Sequence, residues 1–395
     1  MSPLPLPDPL RVPLDALESD GRASWLVGRC VREALAGEEP RDFECLCAAP
    51  LEAVLAALPN AVVTGTGGSR ATVPTAAGPL DVVPIGARDV GDVLLGRDFT
   101  LHAIALRPRT GDWLDPHGGR ADLAAGRLRT PGVSKERLSE DPLRALRALR
   151  LVSEHGFELD PELEGALPEQ AAALAAIGGR RVRVELERLL LGPHAGRALA
   201  LLRSSGLERA LAPDTRPDAA RIVPALPADL ELRLAAWLRG GRVRAALRDL
   251  RCPRDRSVRI ERLLQLHPVD VGAASTREAR ARRLARRDEL LRTRLLALRE
   301  AEIAASDDEA ERRSFERFTK SLGAMLHSRE VAEQRAALQI GGREVMEALG
   351  CGPGATVGRA LRHLAECIAE DPSRNEPATL RRLLVEWAGN PEERK

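Results

Sequence analysis

The stretch that decides the fold is residues 25–47, WLVGRCVREALAGEEPRDFECLC. Its pattern predicts a strand that ends at Gly28, a helix after it, and a second strand that carries Asp42, Phe43 and Glu44. Because alternate strand residues face the same side, Asp42 and Glu44 are predicted to project together while Phe43 packs behind them. Such a pair suits Mg²⁺ carrying a polyphosphate, and the helix N-terminus after Gly28 offers N–H groups to the phosphates. A surface pair of charges is the alternative.

The pattern around this stretch predicts an α+β head followed by an extended all-α part. Short β-like runs alternate with helical stretches up to about residue 130, and after about residue 139 amphipathic helices follow one another. The predicted strands are Trp25–Val27, Phe43–Cys47, Ala61–Val63, Leu80–Ile85 and Phe99–Leu106. The predicted domains are an irregular, proline-rich N-terminal arm (1–22), a head (23–138), a neck (139–212), a body (213–330) and a tail (331–395).

Composition limits the classes of function. The 395 residues carry 60 Lys and Arg against 58 Asp and Glu, a net charge of +2, so any nucleic-acid surface must come from local clustering. Six cysteines without a Cys-x-x-Cys pair are expected to be reduced thiols. The first twenty residues lack the features of a signal peptide, and no apolar run reaches the length of a membrane span. We therefore expect a cytoplasmic protein.

Local clustering of basic residues occurs in residues 276–299. This stretch has nine Arg against three acids, with Leu284, Leu291, Leu295 and Leu298 as an apolar stripe. It predicts a basic helix that lies along a phosphate backbone, or else a solvated charged face.

A polar series with a spacing of three occurs in EDPLRALRALR, residues 140–150. On a helix, Asp141, Arg144, Arg147 and Arg150 would form a slowly winding ridge. One acid and three guanidinium groups can bind a base edge and triphosphate oxygens together. A salt-bridged helix face is the alternative.

Taken in order, these blocks resemble the class II tRNA nucleotidyltransferases and bacterial poly(A) polymerases. The family's opening motif, acid-x-acid pair, Arg-Arg-Asp-Phe-Thr block, Asp-Pro-x-Gly-Gly block and Glu-Asp-Pro-Leu-Arg helix correspond to LVGRCVRE (26–33), DFE (42–44), GRDFTLHA (96–103), DPHGG (115–119) and EDPLRALRALRL (140–151). Residues 180–211 resemble the family's neck and residues 338–364 its tail.

The resemblance implies a Mg²⁺-dependent enzyme that adds CMP, AMP or both, from CTP and ATP, to the 3′ end of tRNA, while its helical body and tail grip the acceptor stem. Its metal-binding acids fall on Asp42 and Glu44, with Asp81 as a third catalytic carboxylate. The base-selecting pair falls on Asp141 and Arg144. The other nucleotide-binding positions are Gly28, Arg29, Arg32, Arg97, Arg147 and Arg150.

The chain departs from the family's pattern at several of these positions. Arg29 replaces the second glycine of the opening motif, Glu33 and Glu44 replace aspartates, Gly96 replaces an arginine and His102 replaces an asparagine. Two alternatives therefore stay open: a poly(A) polymerase, and an RNA-binding pseudoenzyme with a degenerate nucleotide pocket. The sequence leaves the oligomeric state open.

Overall fold

The computed structural model describes residues 7–19, 21–40, 42–65, 69–177, 179–306 and 308–389. The chain divides into two compact units, residues 1–264 and 265–395. The boundary lies inside the predicted body, and the division into neck, body and tail stays a prediction.

A mixed sheet organises the first unit. Its strand order is β3-β4-β5-β2-β1-β6-β7; β2 and β5 run parallel, and the other neighbours are antiparallel. A separate parallel pair joins β8 and β9. The bounds are β1 Ser24–Val27, β2 Phe43–Cys47, β3 Val62–Thr64, β4 Arg70–Val73, β5 Leu80–Pro84, β6 Ala105–Leu106, β7 Trp113–Leu114, β8 Arg127–Leu128 and β9 Glu158–Leu159.

Helices account for most of the rest, so the predicted fold class, an α+β head followed by helices, is confirmed. From the N-terminus they are α1 Asp8–Glu18, α2 Arg29–Leu35, α3 Leu51–Ala57, α4 Val90–Leu95, α5 Gly119–Ala124, α6 Ser134–Glu140, α7 Leu143–His155, α8 Pro161–Ala166, α9 Ala171–Ala176, α10 Gly179–Leu191, α11 Ala195–Ser204, α12 Leu207–Leu211, α13 Ala219–Ala225, α14 Leu230–Leu238, α15 Val243–Asp249 and α16 Arg254–Leu266. They continue with α17 Ala274–Ala285, α18 Glu289–Ala305, α19 Glu309–Ala337, α20 Gly342–Leu349, α21 Ala355–Glu370 and α22 Pro377–Gly389. Within the described residues, none of the helices combines the length and apolar character that a membrane span needs.

Hydrophobic clusters cover both faces of the sheet. Leu26, Phe43 and Cys45 belong to the cluster that includes side chains of α1, α2 and α3. Val27 and Leu46 belong to the opposite cluster, which includes residues of α4. Since side chains alternate along β2, Glu44 shares the face of Leu46.

The N-terminal segment is helical, so the prediction of an irregular arm over residues 1–22 is wrong for Asp8–Glu18. Pro9 lies in the first turn, where a helix needs no N–H donor, and only Pro13 lies inside the helix. Leu10, Leu14 and Leu17 recur at helical spacing and are buried against the sheet. Burial of this stripe outweighs the cost of the interior proline.

The predicted strand Phe99–Leu106 is mostly a turn. Thr100–His102 form a 3₁₀ turn, and only Ala105 and Leu106 join the sheet. Thr100 donates its hydroxyl to Asp122 at 2.7 Å, and Gly119 packs on the Thr100 carbonyl so closely that a Cβ would lie 2.0 Å from its oxygen. These long-range contacts fix the turn and give the second glycine of DPHGG its role.

The predicted basic helix over residues 276–299 is interrupted. Its first part lies in α17 and its second in α18, which begins after Asp288, whose carboxylate accepts the N–H of Leu291 at 2.9 Å. The predicted apolar stripe of four leucines is buried.

Candidate active site

Two carboxylates lie at the start of β2. Glu44 is in the strand, whereas Asp42 precedes it, so the prediction that both are strand residues is wrong for Asp42. Phe43 between them is buried in the core, as predicted. The Asp42 side chain is 66% exposed, so it is accessible to a ligand.

Gly28 and Arg97 surround Glu44. Arg97 Nη1 donates to both carboxylate oxygens of Glu44, each at 3.0 Å. Gly28 follows Val27, which is the register partner of Glu44, and a Cβ on Gly28 would lie 3.2 Å from Glu44 Oε2. Gly28 also has φ +77°, a conformation that favours glycine. The predicted residues Gly28, Glu44 and Arg97 therefore form one cluster.

Arg29, the first residue of α2, connects two acids. Its Nε donates to Glu33, and its Nη1 lies 3.4 Å from Asp42 Oδ2. Glu33 is buried, and the Arg29 side chain is half exposed. The guanidinium therefore lies beside Asp42 and remains accessible to solvent.

Asp81 lies on β5, directly opposite Glu44 in the parallel register. Its carboxylate accepts hydrogen bonds from Arg70 at 2.7 Å and from Thr72 at 2.6 Å. Both donors belong to β4, so Asp81 is held by β4 and is not joined to the pair formed by Asp42 and Glu44. No three His, Cys, Asp or Glu side chains converge on a possible metal position within the described ranges.

Asp42 and Glu44 nevertheless fit Mg²⁺ chemically. This ion takes oxygen ligands, and in nucleotide sites one or two carboxylates commonly suffice because phosphates and water complete the octahedron. Both carboxylates lie at the entrance to β2, and each is paired with a guanidinium group that can also bind phosphate. The residues present can therefore hold the ion when a triphosphate is bound.

A buried chain of hydrogen bonds lies next to this cluster. Arg32 Nη1 is 3.3 Å from His102 Nε2, His102 Nδ1 is 2.8 Å from Asp98 Oδ1, and Arg147 Nη1 donates to Asp98 Oδ2 at 3.1 Å. Because Arg32 can only donate, Nε2 of His102 accepts and Nδ1 carries the proton towards Asp98. The chain thus holds His102 as one neutral tautomer.

The pKa values of this chain agree with that assignment. Burial lowers the pKa of His102, and Arg32 adds to the effect despite the carboxylate of Asp98. Burial by itself would raise the pKa of Asp98, but His102 and Arg147 outweigh it and hold that pKa well below its usual range. Asp98 is therefore ionised beside a neutral imidazole.

Glu185 of α10 holds two of the predicted nucleotide-binding arginines. Its carboxylate is 3.5 Å from Arg147 Nε and 2.6 Å from Arg150 Nε, and Arg150 also donates to Glu154 at 2.8 Å. Glu185 is buried, so both guanidinium groups are held by a charge that water does not screen.

Asp141 does not share a helix with the three arginines, which corrects the prediction of a four-residue ridge. It lies in extended conformation between α6 and α7, and its carboxylate accepts the N–H of Leu143 at 3.2 Å. Pro142 follows it, and a residue before proline is biased away from helical geometry. Its other oxygen is 3.1 Å from Arg181.

Arg144 fixes the start of α7. It donates to the carbonyls of Arg137 and Gly96, both at 2.8 Å, and to Glu140 at 2.9 Å. Arg144, which the resemblance gives as a base-selecting residue, is therefore held in place by backbone carbonyls of two neighbouring segments.

Asp98 and Glu185 are site residues that the sequence reasoning did not single out. Asp98 is part of the GRDFTLHA block and Glu185 of the neck-like block. The signal available in the sequence was that both residues lie in blocks that resemble the family's motifs. Their partners are distant in the chain, so local periodicity does not reveal them.

Comparison with known proteins identifies the relatives of this chain. Residues 156–218 match the family model described as "Probable RNA and SrmB- binding site of polymerase A". The CC-adding tRNA nucleotidyltransferase of Shouchella clausii is 36% identical over 190 residues, which are 48% of this chain and 50% of that protein. The CCA-adding enzyme of Geobacillus stearothermophilus is 34% identical over 210 residues, which are 49% of this chain and 52% of that protein.

Solved structures are similar over more of the chain. The Bacillus stearothermophilus CCA-adding enzyme in complex with CTP is 26% identical with a TM-score of 0.61, covering 99% of this chain and 100% of that one. The Thermotoga maritima CCA-adding enzyme complexed with tRNA has the same fold, with a TM-score of 0.66, 19% identity, and coverage of 95% and 94%. The chain is therefore similar to CC-adding and CCA-adding tRNA nucleotidyltransferases in sequence over about half of its length, and to CCA-adding enzymes in fold over nearly all of it. In sequence, it spans about half the length of the two curated relatives that it matches.

Within the nucleotidyltransferase family's pattern, the departures of this chain form specific contacts. Arg29, in place of a glycine, pairs with Asp42, and His102, in place of an asparagine, joins Arg32 to Asp98. Gly96, in place of an arginine, offers its carbonyl to Arg144. The substituted side chains of Arg29 and His102 are therefore integrated into the site, whereas Gly96 contributes only a backbone carbonyl.

Proposed function

We propose that this protein transfers CMP, AMP or both from CTP and ATP to the 3′ end of tRNA. The observation that carries the proposal is the cluster in which Asp42 and Glu44 lie beside Gly28 with Arg29 and Arg97 as their partners. The names of the relatives, CC-adding and CCA-adding enzymes, support this substrate class. A cytoplasmic location follows from tRNA as the substrate.

Triphosphate binding is assigned to the arginines of the cluster. Arg29 and Arg97 are paired with carboxylates when no nucleotide is bound. A triphosphate carries more negative charge than a carboxylate, so each guanidinium group can bind it instead. Arg147 is held by Glu185 and stays partly exposed on α7, whereas Arg150 is buried and paired with Glu154 and Glu185. The acids thereby keep these side chains in place before the nucleotide binds.

Asp42 and Glu44 are the residues that would hold Mg²⁺. A bound divalent ion supplies positive charge to the phosphoryl oxygens and promotes ionisation of a nearby hydroxyl. In the proposed transfer, the tRNA 3′ oxygen forms a bond to the α-phosphorus. The bond between the α-phosphorus and the oxygen that bridges it to the β-phosphate breaks, and pyrophosphate leaves. The hydroxyl proton passes to solvent. Arg29 and Arg97 stabilise the departing charge.

Base selection is assigned to Asp141 and Arg144. A carboxylate accepts from the exocyclic amine that cytosine and adenine share, and a guanidinium donates to the adjacent ring nitrogen; uracil and guanine present different patterns. Arg144 is ordered by the carbonyls of Gly96 and Arg137, so its donors are fixed before the base arrives. Asp141 exchanges Arg181 for the base.

A second candidate is an RNA-binding protein without transfer activity. The contact between Arg29 and Asp42 favours it, because a side chain stands where family members need bare backbone against the phosphates. The intact arrangement of Arg147, Arg150 and Glu185 favours the enzyme.

The test uses tRNA transcripts that lack the last three nucleotides. Purified protein is supplied with MgCl₂ and each labelled nucleotide, singly and in pairs, and the products are sequenced. We expect CMP to be added with CTP, AMP to follow added C if both are substrates, and no addition of UMP or GMP. Long oligo(A) products would indicate a poly(A) polymerase. Binding of the tRNA without incorporation would indicate the RNA-binding protein and contradict the proposal.

A further inference from the structure

A cavity of about 330 Å³ lies within the second unit and is lined in part by the basic stretch 276–299. Its wall comprises the end of α16, the segment that follows it, the second half of α17 and one residue of α18. Three of its lining residues are Arg280, Arg283 and Arg287, and none of the lining residues is an acid. The cavity is therefore positively charged.

The three arginines share one side of α17 and its C-terminal extension because their spacing is three and four residues. Arg280 donates to the carbonyl of Pro268 at 3.1 Å, which fixes its side chain at the wall. Arg283 and Arg287 make no side-chain ion pair or hydrogen bond with any residue that the structure describes. Two guanidinium groups are thus available to a ligand.

A buried histidine completes the polar part of the wall. The His267 side chain is 4% exposed, and its Nε2 lies 2.8 Å from Glu302 Oε2. Its Nδ1 has no hydrogen-bond partner in the described part of the chain. A buried polar atom without a partner is costly, so a ligand that bonds to Nδ1 would remove that cost.

The rest of the wall is apolar. Val269, Leu284 and Leu295 are buried and line the cavity beside the charged groups. An anion that enters is therefore only partly solvated, which strengthens its attraction to the arginines.

We propose that this cavity binds a phosphate group. A phosphate presents several oxygens in a tetrahedral arrangement, so it can accept from Arg283, from Arg287 and from Nδ1 of His267 when the ring carries a second proton, since the proton on Nε2 faces Glu302; a carboxylate has only two oxygens on one plane. The phosphate belongs either to the backbone or end of a bound RNA or to a free phosphorylated small molecule. The inference uses only residues of the second unit and does not rest on the activity proposed for the head.

The test follows the ring signals of the seven histidines by nuclear magnetic resonance in full-length protein labelled with ¹⁵N-histidine. His267→Gln assigns the signal of His267. The protein is titrated with inorganic phosphate, and the pocket variant Arg283→Gln/Arg287→Gln is compared with the control variant Arg282→Gln/Arg286→Gln. The control removes the same charge at the same spacing from exposed residues that do not line the cavity. Melting curves establish that both variants are folded.

We expect a saturable shift of the His267 signal in the wild type and the control, and at least tenfold weaker binding in the pocket variant. No saturable shift in the wild type, or equal affinity in both double variants, would overturn the proposal. A second arm adds tRNA that lacks its 3′ end. Displacement of phosphate by tRNA, with weaker tRNA binding in the pocket variant than in the control, assigns the site to an RNA phosphate. Unchanged tRNA affinity in both, with phosphate still bound, assigns it to a free phosphorylated molecule.

These readouts separate the two proposals. Phosphate binding at His267 is measured without nucleotide transfer, so an inactive head leaves the result intact. Conversely, loss of the phosphate site leaves CMP incorporation to be judged on its own.

Discussion

Arg32, His102 and Asp98 form a chain in which the imidazole is neutral and the carboxylate is ionised. Because the folded protein keeps His102 unprotonated at a pH where the unfolded chain, with an ordinary histidine pKa of about 6.5, takes up a proton, the unfolded state binds more protons. The free energy of unfolding therefore falls as pH drops below about 6.5. Asp98 stays ionised in that range and does not contribute to this change.

The variant His102→Asn tests this linkage. Asparagine does not titrate, so between pH 7.5 and 5.5 the variant should lose less stability than the wild type, by up to about 1.4 kcal/mol per pH unit. Urea unfolding at both pH values provides the measurement, and His117 and His155, whose pKa values burial also lowers, contribute equally to both proteins. Equal pH dependence in the two proteins would contradict the lowered pKa of His102 in the folded protein.

Arg29 is the departure with the most direct consequence for nucleotide binding. If the site is active, its guanidinium replaces a backbone contact to the phosphates, and Arg29→Gly removes a charge-assisted hydrogen bond of about 1.5–3 kcal/mol. We expect kcat/KM for CTP to fall by about 10- to 100-fold, as measured in single-nucleotide incorporation.

The double reversal Arg29→Gly/Glu44→Asp distinguishes an enzyme adapted to its present residues from one whose nucleotide pocket has degenerated. In an adapted enzyme it leaves transfer similar or lower, because Arg97 and the other contacts fit the present residues. A rise of several orders of magnitude from near zero would mean that the pocket has degenerated.

At the scale of elements, α1 is the helix that the proline content makes difficult to predict from the sequence. Leu14 is 2% exposed and packs in the cluster under the sheet, whereas Val12 of the same helix is 76% exposed. Leu14→Ala should therefore lower the free energy of unfolding by about 2–5 kcal/mol, and the matched Val12→Ala by no more than about 0.5 kcal/mol. Thermal unfolding of the two variants tests this prediction. Similar melting curves would show that α1 does not stabilise the head.

Particular elements show how far the sequence leads. The strand β2 is predictable apart from Asp42 at its start, because aromatic, leucine and cysteine side chains are bounded by turn residues on both sides. The turn at Thr100–His102 is not, because Asp122 and Gly119 impose it from elsewhere in the chain. Asp42, Glu44 and Arg97 were predicted from their blocks. Asp98 and Glu185 required the long-range pairing that only the fold reveals.

At the scale of the whole molecule, sequence similarity and fold cover different lengths. The two curated relatives align with about half of this chain, whereas the CTP complex covers nearly all of it. The head cluster lies in the first unit and the proposed phosphate cavity in the second. The two sites therefore need separate tests.

The central claim is that Asp42 supports nucleotide transfer to tRNA. The most direct measurement is the rate of CMP incorporation into tRNA that lacks its 3′ end, for the wild type, Asp42→Ala and the exposed control Glu39→Ala. We expect Asp42→Ala to abolish transfer with an unchanged melting curve, because the Asp42 side chain is exposed and Phe43 keeps β2 packed. Glu39→Ala should keep the wild-type rate. Wild-type incorporation by Asp42→Ala, or none by the wild type, would contradict the claim.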